Sequence, residues 1–266
     1  MKKIAKILAI VMIVALAVTA FCACGDKNNG ANDVTTTVAN GEQTPAAGKL
    51  IMGTNAAFPP YEYYEGEKIV GIDAEVAGLI AEKLGMELEI KDMDFNGIIS
   101  AVQNGVVNIG MAGMTVNEER LLSVDFSTSY AKGVQVVIVK ENSGIATLDD
   151  LAGKLIGVQE ATTGDIYSTD DFGEENVKRY TNGAAAVAAL QSGIVDAVII
   201  DNEPAKAFVA ANDGLAILET AYAEEDYAIA VAKGNTDLLN KINNALAELT
   251  ADGSIQAIVD KYIPAE

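Results

Sequence analysis

Twice along this chain, short apolar runs alternate with segments whose apolar residues recur at helical spacing, and this alternation limits the fold more than any other feature. A strand, an amphipathic helix and a further strand close most simply as a parallel pair with a right-handed crossover. In the first set, Leu50–Gly53 reads as a strand ending at Thr54-Asn55. Asp73–Leu84 carries Val76, Leu79, Ile80 and Leu84 on one helical face, and Gly85 follows as a helix stop. Leu88 and Ile90 alternate as a strand, Ile98, Ile99 and Val102 mark a helix, and Val106–Met111 is a third strand.

The pattern restarts at Val134–Val139, a β-branched run. Thr147-Leu-Asp-Asp150 looks like a helix cap before Leu151. Leu155–Gln159 is a strand ending in Glu160-Ala-Thr-Thr-Gly164, and Ala184–Leu190 is an Ala-rich helix. Ile194–Ile200 reads as a buried strand ending at Asp201, followed by helix from Glu203 to Ala211. Tyr227–Val231 is one more strand. Asn235-Thr236-Asp237 then caps a helix bearing Leu238, Leu239, Ile242, Leu246 and Leu249, and a last helix spans Ser254–Tyr262. The expected fold is α/β, with two mostly parallel sheets facing across a cleft, because ligands in open α/β sheets sit beyond the strand C-terminal ends. The last helices are needed to complete the first sheet's packing. Lobe 1 is therefore expected over 49–131 and 230–266, and lobe 2 over 132–229 with hinge strands at its ends.

Composition removes whole classes of chemistry. There is no histidine, so Ser-His and Cys-His nucleophilic machinery is excluded. No cysteine follows Cys24, which leaves neither disulfides nor a thiolate metal site in the body. No catalytic residue, metal or cofactor is expected in the leading reading given below. The ~220 residues that remain suffice for one large domain or two smaller ones. The chain carries 18 basic and 38 acidic side chains, a net charge of −20. That balance disfavours nucleic acid and anionic lipid as partners and is compatible with cationic or zwitterionic solutes.

The N-terminus points to export. Lys2, Lys3 and Lys6 precede an uncharged apolar stretch, Ile7–Ala20, which is too short to span a membrane comfortably and right for a signal-peptide core. Ala23-Cys24 then resembles a bacterial lipobox, although Phe21 stands where such a box usually has Leu. Residues 1–23 are read as the signal, Cys24 as the lipidated residue, and the polar stretch 24–48 as a flexible tether. An ordinary secretory signal cut nearby is the alternative.

One stretch suggests recognition of an anion. Arg120, one of two arginines in the chain, follows Gly113-Met114-Thr115 closely enough for a helical turn to bring it back toward their amides. A planar guanidinium can grip a carboxylate bidentately where lysine cannot. A surface ion pair with Glu118 or Glu119 fits the segment equally well.

Gly71-Ile-Asp-Ala-Glu-Val-Ala-Gly-Leu-Ile-Ala81 resembles the signature of the bacterial extracellular solute-binding proteins of family 3, polar amino acid receptors of ABC importers. The resemblance spans residues 49–266. It includes Gly53–Glu62, Gly113–Arg120, Gly157–Gly164 and Val195–Asp201, with Ala74 a minor departure. It implies a periplasmic-binding-protein-like fold in which Arg120 takes a ligand α-carboxylate, helped by the Gly113 and Thr115 amides and by donors at Thr162 and Thr163. Asp201 accepts the α-ammonium, and Phe58 and Phe95 flank the ligand. Asn55, at a position often acidic in relatives of basic specificity, lies with Gln159 and Ile200 toward the ligand side chain, which suits a polar amino acid, uncharged or moderately basic. It further implies an ABC permease as partner, a monomer, and residence on the outer face of the bacterial cytoplasmic membrane.

Simpler roles exist for most of these residues. Asp201 fits a helix cap, Phe58 and Phe95 fit core aromatics, and Thr162 and Thr163 fit a plain turn. At the level of function, the leading expectation is an amino acid receptor that is not an enzyme. The alternative is a dehydratase-type enzyme on the same fold, with Glu160 as acid or base. A sensor acting through a separate receptor is a third.

Overall fold

A computed structural model describes residues 48–264. The expected leader, Cys22, Cys24 and the tether up to residue 47 lie outside the described residues.

The first set of elements begins with β1 (Lys49–Thr54), which turns Leu50 and Met52 fully into the core. A small antiparallel sheet follows, made of β2 (Ala57–Phe58), β3 (Glu62–Glu65) and β4 (Lys68–Val70). Gly71 then leads into α1 (Ile72–Lys83), and Gly85, at φ 66°, ends it as its sequence position anticipates. Next come β5 (Glu87–Asp92), α2 (Phe95–Gln103), β6 (Ile109–Gly110), α3 (Glu118–Ser123) and β7 (Val124–Phe126).

The second set opens with the long β8 (Ala131–Lys140) and continues through β9 (Ile156–Gln159), α4 (Thr163–Phe172), β10 (Val177–Tyr180) and α5 (Gly183–Gln191). It ends with β11 (Ala197–Asp201), α6 (Asn202–Ala211), β12 (Leu215–Ile217) and β13 (Ala223–Tyr227). The chain finishes in β14 (Ala230–Ala232), α7 (Thr236–Ala251) and α8 (Ser254–Tyr262).

The architecture is the expected α/β arrangement of two sheets. One has the order β5-β1-β6-β14-β7 and the other β10-β9-β11-β8-β12, with β13 also paired to β8. Each contains a parallel trio, β5-β1-β6 or β10-β9-β11, extended by antiparallel strands. Helices α1, α7 and α8 bury one face of the first sheet through Val76, Ile80, Ile242, Leu246 and Ile255, while Ile98 and Val102 of α2 cover the other. In the second sheet β8 alternates. Val136 and Ile138 pack with Val187 and Leu190 of α5, and Val137 and Val139 with Ile156 and Val158.

Three sequence expectations are corrected. Tyr227–Val231 is not one strand. Tyr227 ends β13 in the second sheet and Ala230 starts β14 in the first, so the chain changes sheets inside the run. Of Val106–Met111 only Ile109–Gly110 is strand, because the Val106 amide is used at 2.9 Å by the Ala101 carbonyl to close α2. Ile194 is likewise withdrawn from β11, its amide closing α5 on Ala189 at 2.9 Å and its side chain 60% exposed.

Candidate functional site

The parallel trios end at one cavity. From the first sheet and its loops come Asn55, Phe58, Glu62, Phe95, Ala112, Gly113, Thr115 and Arg120; from the second come Gln159, Thr162, Thr163 and Asp201. All ten side chains or backbone positions singled out as ligand contacts thus line it. Glu62 and Ala112 were not among them. Ile200 is not on the wall; it packs in the core with Val198 and Phe208.

Arg120 sits in α3, whose N-cap Asn117 accepts the Arg120 amide at 2.8 Å. The side chain is buried, and its hydrogen bonds go to the carbonyls of Thr115 (2.7 Å) and Ala161 (3.0 Å) rather than to Glu118 or Glu119. The Phe95 ring lies 5.3 Å from the guanidinium carbon, a cation–π contact that fixes the planar group against the cavity wall. Ala161 holds a positive φ of 63° to present that carbonyl, strain of a kind concentrated at binding sites.

Asp201 occupies the N-cap position of α6, yet its side chain makes no capping bond. Gln135 Nε2 donates to its Oδ2 at 2.9 Å and the Tyr227 hydroxyl donates to its Oδ1. Burial pushes the carboxyl well above its ordinary range, and Glu225 adds to that push. Gln135 also donates to Glu225 at 3.0 Å, and Thr115 Oγ1 donates to the same oxygen at 2.9 Å. Glu225 and Gln135 were invisible as site residues because their proximity depends on β8 and β13 pairing, a contact 90 residues apart in sequence.

Two expected donor roles change. The Gly113 amide is committed to Asp73 Oδ2 at 2.9 Å, so Gly113 meets the cavity as backbone surface and not as a free N–H. Its φ of 52° and the Phe58 ring, which an added Cβ would meet at 2.8 Å, explain the glycine. The Thr162 hydroxyl donates to the Gln159 carbonyl at 2.8 Å and caps the Asp165 amide at 3.3 Å. Its turn role is therefore real, and Thr163, first residue of the ten-residue α4, brings the helix N-terminus to the cavity.

Hydrogen bonds cross the cavity. Gln159 Nε2 donates to Asn55 Oδ1 at 3.0 Å, Arg120 reaches Ala161, and Asn96 Nδ2 donates to Glu160 Oε2 at 3.1 Å. Glu160 is exposed and tied to Asn96 instead of facing the cavity, which removes the candidate acid–base group of the dehydratase alternative. Among the described residues no three His, Cys, Asp or Glu side chains converge as metal ligands would.

Glu62, on the wall, and Asp73, behind it, are buried carboxyls. The Tyr130 hydroxyl donates to Asp73 at 2.8 Å, and burial still pushes Asp73 up to about 6. Burial pushes Glu62 well above its ordinary range, with neighbouring Asp73 adding to it.

The profile of the bacterial extracellular solute-binding proteins, family 3, matches residues 50–265. The arginine-binding extracellular protein ArtP of Bacillus subtilis (strain 168) is 34% identical over 265 residues, covering 97% of this chain and 98% of its own. Two solved structures of an ancestral arginine-binding protein also align. The glutamine-bound form is 41% identical with a TM-score of 0.78, covering 83% of this chain and 100% of its own. The arginine-bound form is 43% identical with a TM-score of 0.76, covering 81% and 98%. By the span of the profile and the level of these identities, the chain belongs to the bacterial extracellular solute-binding proteins, family 3.

Proposed function

We propose that this protein captures a free amino acid with a cationic side chain, arginine in the first instance, between two closing lobes and delivers it to an ABC importer. One observation carries the reading: Arg120 and Asp201, buried and opposite in charge, reach one cavity from different sheets. A zwitterion entering a dry cleft needs a partner for each charge, since an unpaired buried charge costs several kcal/mol. A ligand that bridges both lobes also favours the closed form over the open one. Once Arg120 takes the α-carboxylate and Asp201 the α-ammonium, one carboxyl of the wall, Glu62, is left over, and it suits a second positive charge. Phe58 and Phe95 flank the space where a planar guanidinium can stack. The names of the relatives, ArtP and the ancestral arginine-binding protein, support the same choice.

The lobes of this reading are 49–131 with 230–266, and 132–229. They turn about the two crossings, between β7 and β8 and between β13 and β14. A thermal-shift screen of the twenty amino acids with ornithine, citrulline and cystine tests the function. Arginine at 100-fold its Kd should add about 2.7 kcal/mol of stability. No shift with any amino acid would contradict the reading.

Lipidation at Cys24, with retention on the outer face of the cytoplasmic membrane, belongs to the same proposal. It rests on small Ala23 before the cysteine and the polar stretch after it. Cys24→Ser should release the protein into the soluble fraction or leave it unprocessed, read by fractionation and intact mass. A variant that remains acylated and membrane-bound would disprove it.

A further inference from the structure

The cavity wall contains more acid than it can neutralise. Glu62, at the start of β3, is 1% exposed, and Asp73, in the first turn of α1, is fully buried. The groups facing Glu62 are Asp73 from α1, Asp201 from β11, and the phenols of Tyr61 and Tyr130. Arg120, the cation on the same wall, is turned to the carbonyls of Thr115 and Ala161. Asp73 already receives two donors, the Gly113 amide at 2.9 Å and the Tyr130 hydroxyl at 2.8 Å. In Glu62 the buried Oε2 has no hydrogen-bond partner. Asp73 stands close by, since its amide donates at 2.9 Å to the carbonyl of Tyr61, the residue before Glu62. A buried carboxyl oxygen that no donor reaches disfavours the anion, and two neighbouring buried carboxylates without a cation do not both ionise.

We infer that Glu62 and Asp73 hold one proton between them while the cleft is empty, that a cationic side chain binding at Glu62 expels it to solvent, and that a neutral amide side chain leaves it in place. The inference rests on the proposed amino acid site. It gives the wall two states: a protonated pair that can donate to the side-chain oxygen of glutamine, and an anionic pair that balances a guanidinium. The pair titrates as a unit, so the proton belongs to both residues. Both directions of shift are upward from the ordinary carboxylate range. Arginine affinity should therefore rise with pH through the weakly acidic range, by up to about tenfold per unit where one full proton is displaced. Asp201 faces the α-ammonium of any amino acid, so its own titration cancels when two amino acids are compared.

Calorimetry of arginine and glutamine binding at one pH, in buffers of differing ionisation enthalpy, counts the protons. Arginine should release about one proton more than glutamine, and Glu62→Gln, isosteric with the protonated acid, should abolish that difference. Equal release by both ligands, or a difference unchanged in Glu62→Gln, would overturn the inference. If arginine does not bind at all, the proposed function fails, and the infrared C=O stretch of a protonated carboxyl in the ligand-free protein still judges the pair. In weakly acidic buffer that band should lose intensity in Glu62→Gln; a spectrum in which Glu62→Gln changes nothing removes the shared proton.

Discussion

Arg120→Lys and Asp201→Asn should each weaken amino acid binding by ~2–5 kcal/mol, on the order of 30- to several-thousand-fold in Kd, the usual cost of breaking one partner of a buried charge pair. The two changes fail for different reasons. Lysine keeps the charge but loses the fork. Arg120 spends one nitrogen on Thr115 O at 2.7 Å and another on Ala161 O at 3.0 Å, and these bonds orient the guanidinium plane over Phe95. An ammonium has no plane to orient and cannot present two parallel N–H groups to a carboxylate. Asparagine keeps the shape of Asp201 and can still accept from Gln135 through its one oxygen while its amide N–H faces the Tyr227 hydroxyl oxygen, but it offers no charge to an α-ammonium. Burial and Glu225 disfavour the ionised form of Asp201 in the empty cleft, so an arriving ammonium is what makes ionisation favourable there. Titration calorimetry with the amino acid that shifts melting most is the check. If both variants bind within about threefold of wild type, the two-charge clamp is the wrong reading of this cavity.

The sequence is informative where structure is local and uninformative where it depends on pairing. Helix α1 was legible within a residue at each end, since Val76 and Ile80 repeat at helical spacing and Gly85 stops it. The family motifs led directly to the residues on the cavity wall, because those motifs are themselves the loops at the strand ends. The switch of sheets inside Tyr227–Val231 was illegible, because all five residues are fully buried and a uniformly apolar run does not say which sheet it joins. Glu62 and Asp73 were illegible for the opposite reason. A carboxylate beside helix α1 reads as a solvated surface group, and only the ribbon β2–β4 folding back over the start of that helix buries both. Gly113 shows a third limit: an exposed-looking Gly turn suggests free amides, yet Asp73, forty residues earlier, already holds this one.

Gly71→Ala should be the most destabilising small substitution in the first lobe. Gly71 is the N-cap of α1 at φ 123°, a conformation that side-chain-bearing residues adopt only with strain. A Cβ there would lie 2.2 Å from the Tyr61 carbonyl oxygen and 2.7 Å from that of Pro60. Those atoms cannot step aside cheaply, because Tyr61 O accepts the Asp73 amide at 2.9 Å and Pro60 O the Ile72 amide at 3.1 Å. Relieving the clash would break both bonds and lift the ribbon from the helix. Backbone strain of about 1–3 kcal/mol and a comparable overpacking term together give a loss on the order of 3–5 kcal/mol. For a domain of this size that corresponds to a fall in Tm of roughly 10 °C. The damage should also reach the site, because the first turn of α1 carries Asp73, which fixes the Gly113 amide and the Tyr130 hydroxyl. Denaturant unfolding and ligand calorimetry on the same variant separate the effects. The expected result is lower stability with weaker binding in the fraction that remains folded; wild-type stability would show that the turn relaxes around a Cβ and that the close approach at Gly71 is not required.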